Sequence, residues 1–184
     1  HSGQIQGFFD IPVDNLFTTP LFARYIKKNL KNKNLICVSP DVGGVQRTRG
    51  LATKINVDLA IIDKRRLQPG KSQVMRIIGN VQNKECIIVD DIIDSGGTIV
   101  NAVDALVREG AKSVHVFVTH AVLSGEAINK IKKSKISKLI ITDSIDNAKK
   151  IKNVSKIQVL SIAPLMAEAI KRISNSTSVS SLFN

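Results

Sequence analysis

Three aspartates, Asp90, Asp91 and Asp94, crowd the middle of the stretch CIIVDDIIDSGGTIVNAVDALVREG, which runs from Cys86 to Gly110. An apolar run leads into the first two acids. Ser95, Gly96, Gly97 and Thr98 then make a turn of small residues, and an amphipathic run follows. A strand that feeds a glycine-bearing turn and opens a helix aims backbone N–H groups into a concavity. The helix N-terminus adds positive potential there, so the turn is a ready phosphate cradle. Ser95 and Thr98 bring hydroxyl donors to it. The pattern is not a P-loop, because the spacing differs and no lysine follows the glycines. Asp90 and Asp91 sit at the strand end beside this cradle. Carboxylates beside a phosphate site grip vicinal hydroxyls or hold Mg²⁺, and grouping three of them at a buried strand end is costly without cations. A sugar phosphate with Mg²⁺ satisfies both halves of the pattern.

Such a turn needs a scaffold, and the chain supplies one. Six β-branched runs read as strands: LICVS (35–39), LAIID (59–63), CIIVDD (86–91), VHVFVTH (114–120), KLIITD (138–143) and IQVLSI (157–162). Most are nearly continuous in apolar character, as strands buried on both faces of a parallel sheet must be. Helical patterns alternate with them over 19–30, 44–55, 97–110, 124–133 and 163–173. Thr19 is placed to cap the first of these with Pro20 at its first turn, and Gly110 closes the third. The alternation predicts an open α/β sheet, mostly parallel, with helices on both faces. Ligands of such sheets bind at the carboxyl ends of strands, where the acids and the turn fall. The polar, basic segment DKRRLQPGKSQVMR (63–76) breaks the rhythm and reads as a mobile loop or a loose hairpin extending from the sheet. The Ser- and Asn-rich tail would fray, but Leu182 and Phe183 suit docking.

The totals set bounds on function. The chain has 184 residues, 43% of them apolar, enough for one domain with a real core. No apolar run approaches the roughly 18 residues of a membrane helix. No signal peptide is expected at the start, and His1 in place of Met implies residues upstream that were removed or lie outside this sequence. Cys37 and Cys86 stand apart in apolar runs, without metal spacing, and read as buried free thiols of a reducing compartment. A net charge of +12, from 27 basic against 15 acidic residues, attracts phosphorylated ligands or nucleic acid. With one Tyr and no Trp, base stacking has little to work with. The densest basic run, NKIKKSKISK (129–138), therefore reads as a solvated helix face, and neither a nucleic acid nor a membrane is expected as a partner.

VDDIIDSGGT resembles the phosphoribosyl-pyrophosphate-binding motif of the type I phosphoribosyltransferase fold. HSGQIQGFFDIPVDNL, VSPDVGGVQRTRGLA, LAIIDKRR, AKSVHVFVTHAVLSG, VLSIAPLMAEAIKRI and the final SVSSLF, in that order, are together similar to the ribose-phosphate pyrophosphokinase family over essentially the whole chain. The resemblance implies transfer of the diphosphoryl group of Mg-ATP to the C1 hydroxyl of ribose 5-phosphate, giving phosphoribosyl pyrophosphate and AMP, with Mg²⁺ as cofactor. By the same resemblance Asp94, Ser95, Gly96, Gly97 and Thr98 hold the 5-phosphate. Asp90 and Asp91 hold the ribose hydroxyls and a Mg²⁺, while His1 and Asp41 match groups that meet Mg-ATP. Lys64 and Arg66 match the basic residues of a catalytic flexible loop. Gln6, Asp14, Asn15, Ser178, Ser180 and Phe183 match a regulatory site for phosphate and ADP between subunits.

The family also implies a cytoplasmic homo-oligomer, dimers assembling to a hexamer, and a further N-terminal domain of similar fold. On that reading residues 1–18 are the remnant of an N-terminal domain or interdomain segment, 19–174 the catalytic domain and 175–184 the regulatory tail, and this segment alone is expected to bind the sugar but to catalyse poorly. Two other readings share the motif: a phosphoribosyltransferase that consumes phosphoribosyl pyrophosphate, and a non-catalytic partner subunit of the synthetase. The first needs a hood over a base, for which the sequence shows no element. The second would be expected to lose the loop cations or the acids, and all are present.

Overall fold

β-Branched runs form the strands, and amphipathic runs form the helices that cover them. The structure, a computed structural model, describes residues 3–31, 34–65 and 74–183. In chain order its elements are α1 (Thr19–Asn29), β1 (Leu35–Ser39), α2 (Val45–Ile55), β2 (Asp58–Arg65), β3 (Val74–Ile78), β4 (Glu85–Ile93), α3 (Gly97–Arg108), β5 (Ser113–Ala121), α4 (Ala127–Lys133), β6 (Lys138–Thr142), α5 (Ala148–Ile151), β7 (Ile157–Leu160) and α6 (Ala163–Ser174). Short 3₁₀ turns, Gly3–Phe8 and Ser180–Leu182, lie near the two ends.

The strands make one sheet in the order β3-β2-β1-β4-β5-β6-β7. All neighbours are parallel except β2 and β3. The chain moves outward from β1 to β2 and β3, then crosses back to lay β4 against the other side of β1. The switch point of the sheet therefore lies between β1 and β4, where ligands of such folds bind.

Side-chain alternation divides the core into two layers. Cys37, Ile87, Val89, Phe117 and Ile140 face Phe22 and Ile26 of α1 and Leu51 of α2. Ile36, Val38, Cys86, Ile88 and Val116 face Ile99, Val103 and Leu106 of α3 and Ile131 of α4. Phe22 and Phe117 pack with ring centroids 5.4 Å apart, a tilted contact that aromatic quadrupoles favour. Cys37 and Cys86 are both buried free thiols. Burial is the main cause that pushes each up to about 12, so neither ionises near neutrality.

The elements differ from the sequence reading in instructive places. Among the described residues seven strands form rather than six, because Val74–Ile78 pairs antiparallel with β2. The basic segment thus belongs to a β2–β3 hairpin, the second of its two readings, and residues 66–73 lie outside the described ones. β4 runs two residues beyond Asp91, because β5 continues to pair with it as far as Ile93↔Ala121. Thr18, not Thr19, is the N-cap of α1, and its side chain makes no cap bond. Its hydroxyl instead meets that of Thr119 at 2.8 Å. α4 begins at Ala127 rather than at 124, because Ser124 N–H donates back to Asp94 O at 3.2 Å. The tail docks rather than frays: Phe183 packs edge-on against Phe17 at 5.7 Å, and Lys54 Nζ donates to its carbonyl at 2.8 Å.

Phe117 is fully buried between two aromatic neighbours. Phe117→Ala is expected to lower unfolding free energy by about 3–5 kcal/mol. Urea unfolding with the slope held in common would show the loss as an earlier midpoint; an unchanged midpoint would mean that this layer does not carry the sheet.

Candidate functional site

β1 and β4 stay in register only as far as Val38↔Ile88, and β1 ends at Ser39. β4 continues to Ile93, supported from its other side by β5. Asp90 and Asp91 therefore lie on a strand that has outrun its neighbour, at the switch point. Along Cys86–Val89 no residue exceeds 4% exposure, whereas both acids are only half-buried. The end of β1 thus marks where the strand changes from core to site.

One guanidinium holds both acids. Arg47, in the first turn of α2, puts Nη1 2.8 Å from Asp90 Oδ1 and Nη2 2.7 Å from Asp91 Oδ2. Each carboxylate also accepts the next backbone N–H at 2.9 Å, Asp90 from Asp91 and Asp91 from Ile92. The two side chains are not equally solvated, at 18% exposed for Asp90 against 29% for Asp91. Burial, and then the hydrogen bond that its protonated carboxyl donates to the Asp91 carboxylate, push Asp90 up to about 6 against the pull of Arg47. For Asp91, burial works upward but is outweighed by the hydrogen bond with Asp90 and by Arg47, and its carboxyl falls below the usual range. Asp90 is therefore the weaker acid of the pair and the one that takes up a proton first as pH falls.

The β1–α2 turn is tied tightly to the same place. Ser39 Oγ donates to Asp41 O at 2.6 Å, and Asp41 Oδ1 accepts the Gly44 N–H at 2.9 Å. A Cβ on Gly44 would lie 3.0 Å from Ser39 Oγ, so glycine lets the chain pass close to the strand end. Asp41 spends one oxygen holding the turn that starts α2. Among the described residues no group of three or more His, Cys, Asp and Glu side chains could hold a metal ion, so Asp41 is not gathered with Asp90 and Asp91 into one cluster. His1 and Arg66, the other residues expected at the ATP and loop positions, lie outside the described residues.

Past β4 the chain makes the expected turn. Gly96 stands at φ +74°, the left-handed region that L side chains avoid. α3 then starts at Gly97 with no side-chain cap, so its first N–H groups are open to an anion or to solvent. Asp94, Ser95 and Thr98 are exposed around it, and Gly97 is half-buried. From the carbonyl side the turn is anchored by Val122 N–H on Ile93 O at 3.0 Å and by Lys130 Nζ on Ser95 O at 3.3 Å. One lysine of the basic run thus serves the cradle.

Next to the acids opens a cavity of about 700 Å³, lined among others by Asn15, Thr18, Gln46, Arg47, Asp91 and His120. Lys64, on β2, is paired to β3 at Met75. It lies three residues past Ile61, the partner of the last β1 residue, on the edge of the sheet where the acids emerge. The residues read as regulatory are only partly assembled. Phe183 meets Phe17, two residues from Asn15. Gln6 Nε2 donates to Val13 O at 2.7 Å, Ser178 is engaged through its carbonyl by Arg172 at 2.9 Å, and Asp14 and Ser180 are exposed.

Sequence reasoning missed Arg47 and His120. Arg47 follows Gly43 and Gly44 by one helical turn, a spacing that points back over the strand end, but neither residue belongs to a motif with an obvious chemical role.

The raised Asp90 has a consequence for stability. An acid whose folded value lies above its unfolded one costs the fold stability when ionised. The cost is absent below about pH 4, grows between about 4 and 6, and is constant above. Asp90→Asn is expected to match the parent in acid and to exceed it by roughly 1 kcal/mol, a few degrees in melting midpoint, at pH 7.5. Melting curves across pH 4–8 would test this, and a gap that closes as pH rises would refute it.

Comparison with known proteins follows this geometry. Residues 65–184 match the family model described as the phosphoribosyl synthetase-associated domain. Over its full length the chain is 55% identical to a ribose-phosphate pyrophosphokinase of Granulibacter bethesdensis and 54% identical to one of Brucella melitensis, spanning 59% of each. The crystal structure of phosphoribosylpyrophosphate synthetase from Mycobacterium smegmatis superposes with a TM-score of 0.86 at 37% identity, covering 95% of this chain and 56% of that one. The sheet is thus the expected α/β architecture of the type I phosphoribosyltransferase-like class. With the glycine turn and the acid pair both inside the matched region, the chain belongs to the phosphoribosyl synthetase-associated domain family.

Proposed function

We propose that this chain carries the sugar-phosphate half of a ribose-phosphate diphosphokinase, which transfers the diphosphoryl group of Mg-ATP to the C1 hydroxyl of ribose 5-phosphate. The observation that carries the reading is the β4–α3 passage. Two carboxylates held by one guanidinium stand directly before an uncapped helix start with Gly96 at φ +74°. The relatives' name agrees with it. The chain spans 59% of those relatives, so turnover is a property of the whole protein and binding is what this segment should show.

Each group has a task. The N–H groups at the start of α3, with the Ser95 and Thr98 hydroxyls, take the 5-phosphate. Asp90 and Asp91 accept hydrogen bonds from the ribose hydroxyls. Arg47 keeps the pair charged and aligned before the sugar arrives, so little reorganisation remains for binding. Lys64, with Arg66, brings positive charge to the phosphate chain of the nucleotide. The acid pair suits Mg²⁺, a hard cation that takes one or two carboxylates and fills its shell with water and substrate phosphate. Asp90 and Asp91 would hold it, with Asp41 and His1 nearer the nucleotide, and when bound it would neutralise phosphate oxygens.

The wider reading keeps 19–174 as the catalytic domain, with 1–18 and 175–184 flanking it. It includes regulation by phosphate and ADP at Gln6, Asp14, Asn15 and the tail, assembly as a homo-oligomer, and residence in the cytoplasm. No helix among the described residues is long and apolar enough to cross a membrane.

Calorimetric titration of ribose 5-phosphate into the chain, with and without Mg²⁺, tests the proposal. Thr98→Ala should weaken binding roughly tenfold by removing one hydroxyl from a charged phosphate, and Gly97→Glu should abolish it by placing like charge in the cradle. Parent affinity in both variants would mean that the phosphate lies elsewhere.

A further inference from the structure

Three consecutive carbonyls of the phosphate turn are held from one side. Ile93 O accepts the Val122 N–H at 3.0 Å and the Leu123 N–H at 3.2 Å. Asp94 O accepts the Ser124 N–H at 3.2 Å, and Ser95 O accepts from Lys130 Nζ at 3.3 Å. In a trans peptide group the C=O and the following N–H point in opposite directions. The N–H groups of Asp94, Ser95 and Gly96 are therefore turned away from the β5–α4 loop. Among the described residues none of these three donates a hydrogen bond. With the uncapped start of α3 at Gly97 they form an unbroken run of N–H groups open to an anion.

The loop that holds the turn is itself constrained. Leu123 is buried and stands at φ +51°, the left-handed region that a bulky side chain rarely takes, and backbone strain of this kind gathers at working sites. Behind it lies Asn147, only 4% exposed. Its Nδ2 donates to Ala121 O at 2.6 Å and to Ile145 O at 3.3 Å. Carbonyls only accept, so these contacts fix which end of the amide is nitrogen. Ala121 C=O and Val122 N–H belong to one peptide group, and Ile93 C=O and Asp94 N–H to another. A single row of bonds thus runs from the Asn147 amide through two peptide groups to the first N–H of the turn. Lys150 Nζ meets Val122 O at 3.3 Å and heads a second row, through the Leu123 N–H, to the same Ile93 carbonyl. Such rows polarise along their length and strengthen the donor at the far end. The Asn147 Oδ1 is buried and, among the described residues, has no hydrogen-bond partner. An acceptor left in that state costs the fold stability, so the residue is placed for what its Nδ2 holds.

We infer that Asn147 is a positioning residue for the sugar phosphate, aiming the Asp94 N–H through the Ala121–Val122 and Ile93–Asp94 peptide groups, and that Lys130 does the same for the Gly96 N–H through the Ser95 carbonyl. The inference rests on the proposed function for the identity of the ligand, but not for the direction of the N–H groups. Neither side chain needs to touch the ligand, since each acts through backbone. α4 is well placed to support the turn. Its first residue, Ala127, is fully buried, and a Cβ on Gly96 would lie 3.9 Å from it. Lys130 follows one turn later on the exposed face of the same helix. A cradle whose carbonyls are already fixed has little left to order when the anion arrives.

Backbone ¹H–¹⁵N NMR with amide exchange, on the labelled chain, tests the parent first. Ribose 5-phosphate at saturation is expected to slow exchange at Asp94, Ser95 and Gly96 roughly fivefold. Unchanged exchange there while the sugar binds would overturn the inference and leave the proposed function standing. Asn147→Ala is expected to move the Asp94 amide resonance in the free chain, to speed exchange at Val122, and to weaken ribose 5-phosphate binding roughly tenfold. Exchange at Val116, in the middle of β5, should stay at the parent rate. An Asn147→Ala chain that melts earlier, yet binds with parent affinity and keeps the Asp94 resonance, would make Asn147 a residue of the fold only and overturn its positioning role. Lys130→Met, on an exposed helix face, keeps the test open if Asn147→Ala fails to fold. It should displace the Gly96 amide and weaken binding roughly threefold, and Lys130→Arg should restore both. Lys133→Met removes the same charge one turn further along and should bind like the parent; equal losses in the two would reduce Lys130 to its charge and overturn its part. Absence of any binding by the parent would overturn the proposed function and the ligand named here together, and the direction of the N–H groups would be judged on the resonance shifts in the free variants.

Discussion

Everything at the site depends on β4 being longer than β1. Both strands belong to one parallel sheet, and β1 turns away after Ser39 while β4 continues to Ile93 with β5 beside it. The overrun leaves carboxylates at a place that is neither core nor free surface. Two charges could not stay in that position unaided, since half-buried carboxylates without cations are expensive. α2 returns from the end of β1 over the same gap and delivers Arg47 to both acids. The reversal of strand order thus creates the gap and also brings the residue that makes the gap tolerable.

The two halves of the site carry opposite potentials by different means. At the α3 end positive potential comes from backbone N–H groups, exposed because Gly96 takes a left-handed conformation and no side chain caps the helix. At the β4 end negative charge comes from side chains and is tempered by one guanidinium. A ligand with phosphate at one end and hydroxyls beyond it meets complementary groups in order along a single strand–turn–helix. The raised Asp90 shows that this arrangement is held against local stability, which is characteristic of sites where function outweighs packing.

Much of this was legible before the fold was known. The strands of β1, β4, β5 and β6 are apolar almost without interruption, so their number and parallel character could be read from composition alone. The turn was legible because small residues and acids stand next to each other in sequence. β3 was not, since Val74–Ile78 is a short run inside a basic segment and owes its existence to the free edge of β2. The end of α1 nearest the cavity was misread by one residue, because Thr18 bonds to Thr119, about a hundred positions away, rather than to its own helix.

By itself the sequence determined the layered α/β class, the phosphate turn and the presence of paired acids, because each rests on periodicity or on neighbours within a few residues. Tertiary structure alone decided what those acids are paired with, which of them is the weaker acid, and which hydroxyl His120 meets. Arg47 lies 43 residues from Asp90 and Ser144 lies 24 from His120. Those contacts exist only because parallel strands return to the same edge of the sheet. Their energies depend on burial and on distances of about 3 Å, and neither quantity is written in local order along the chain.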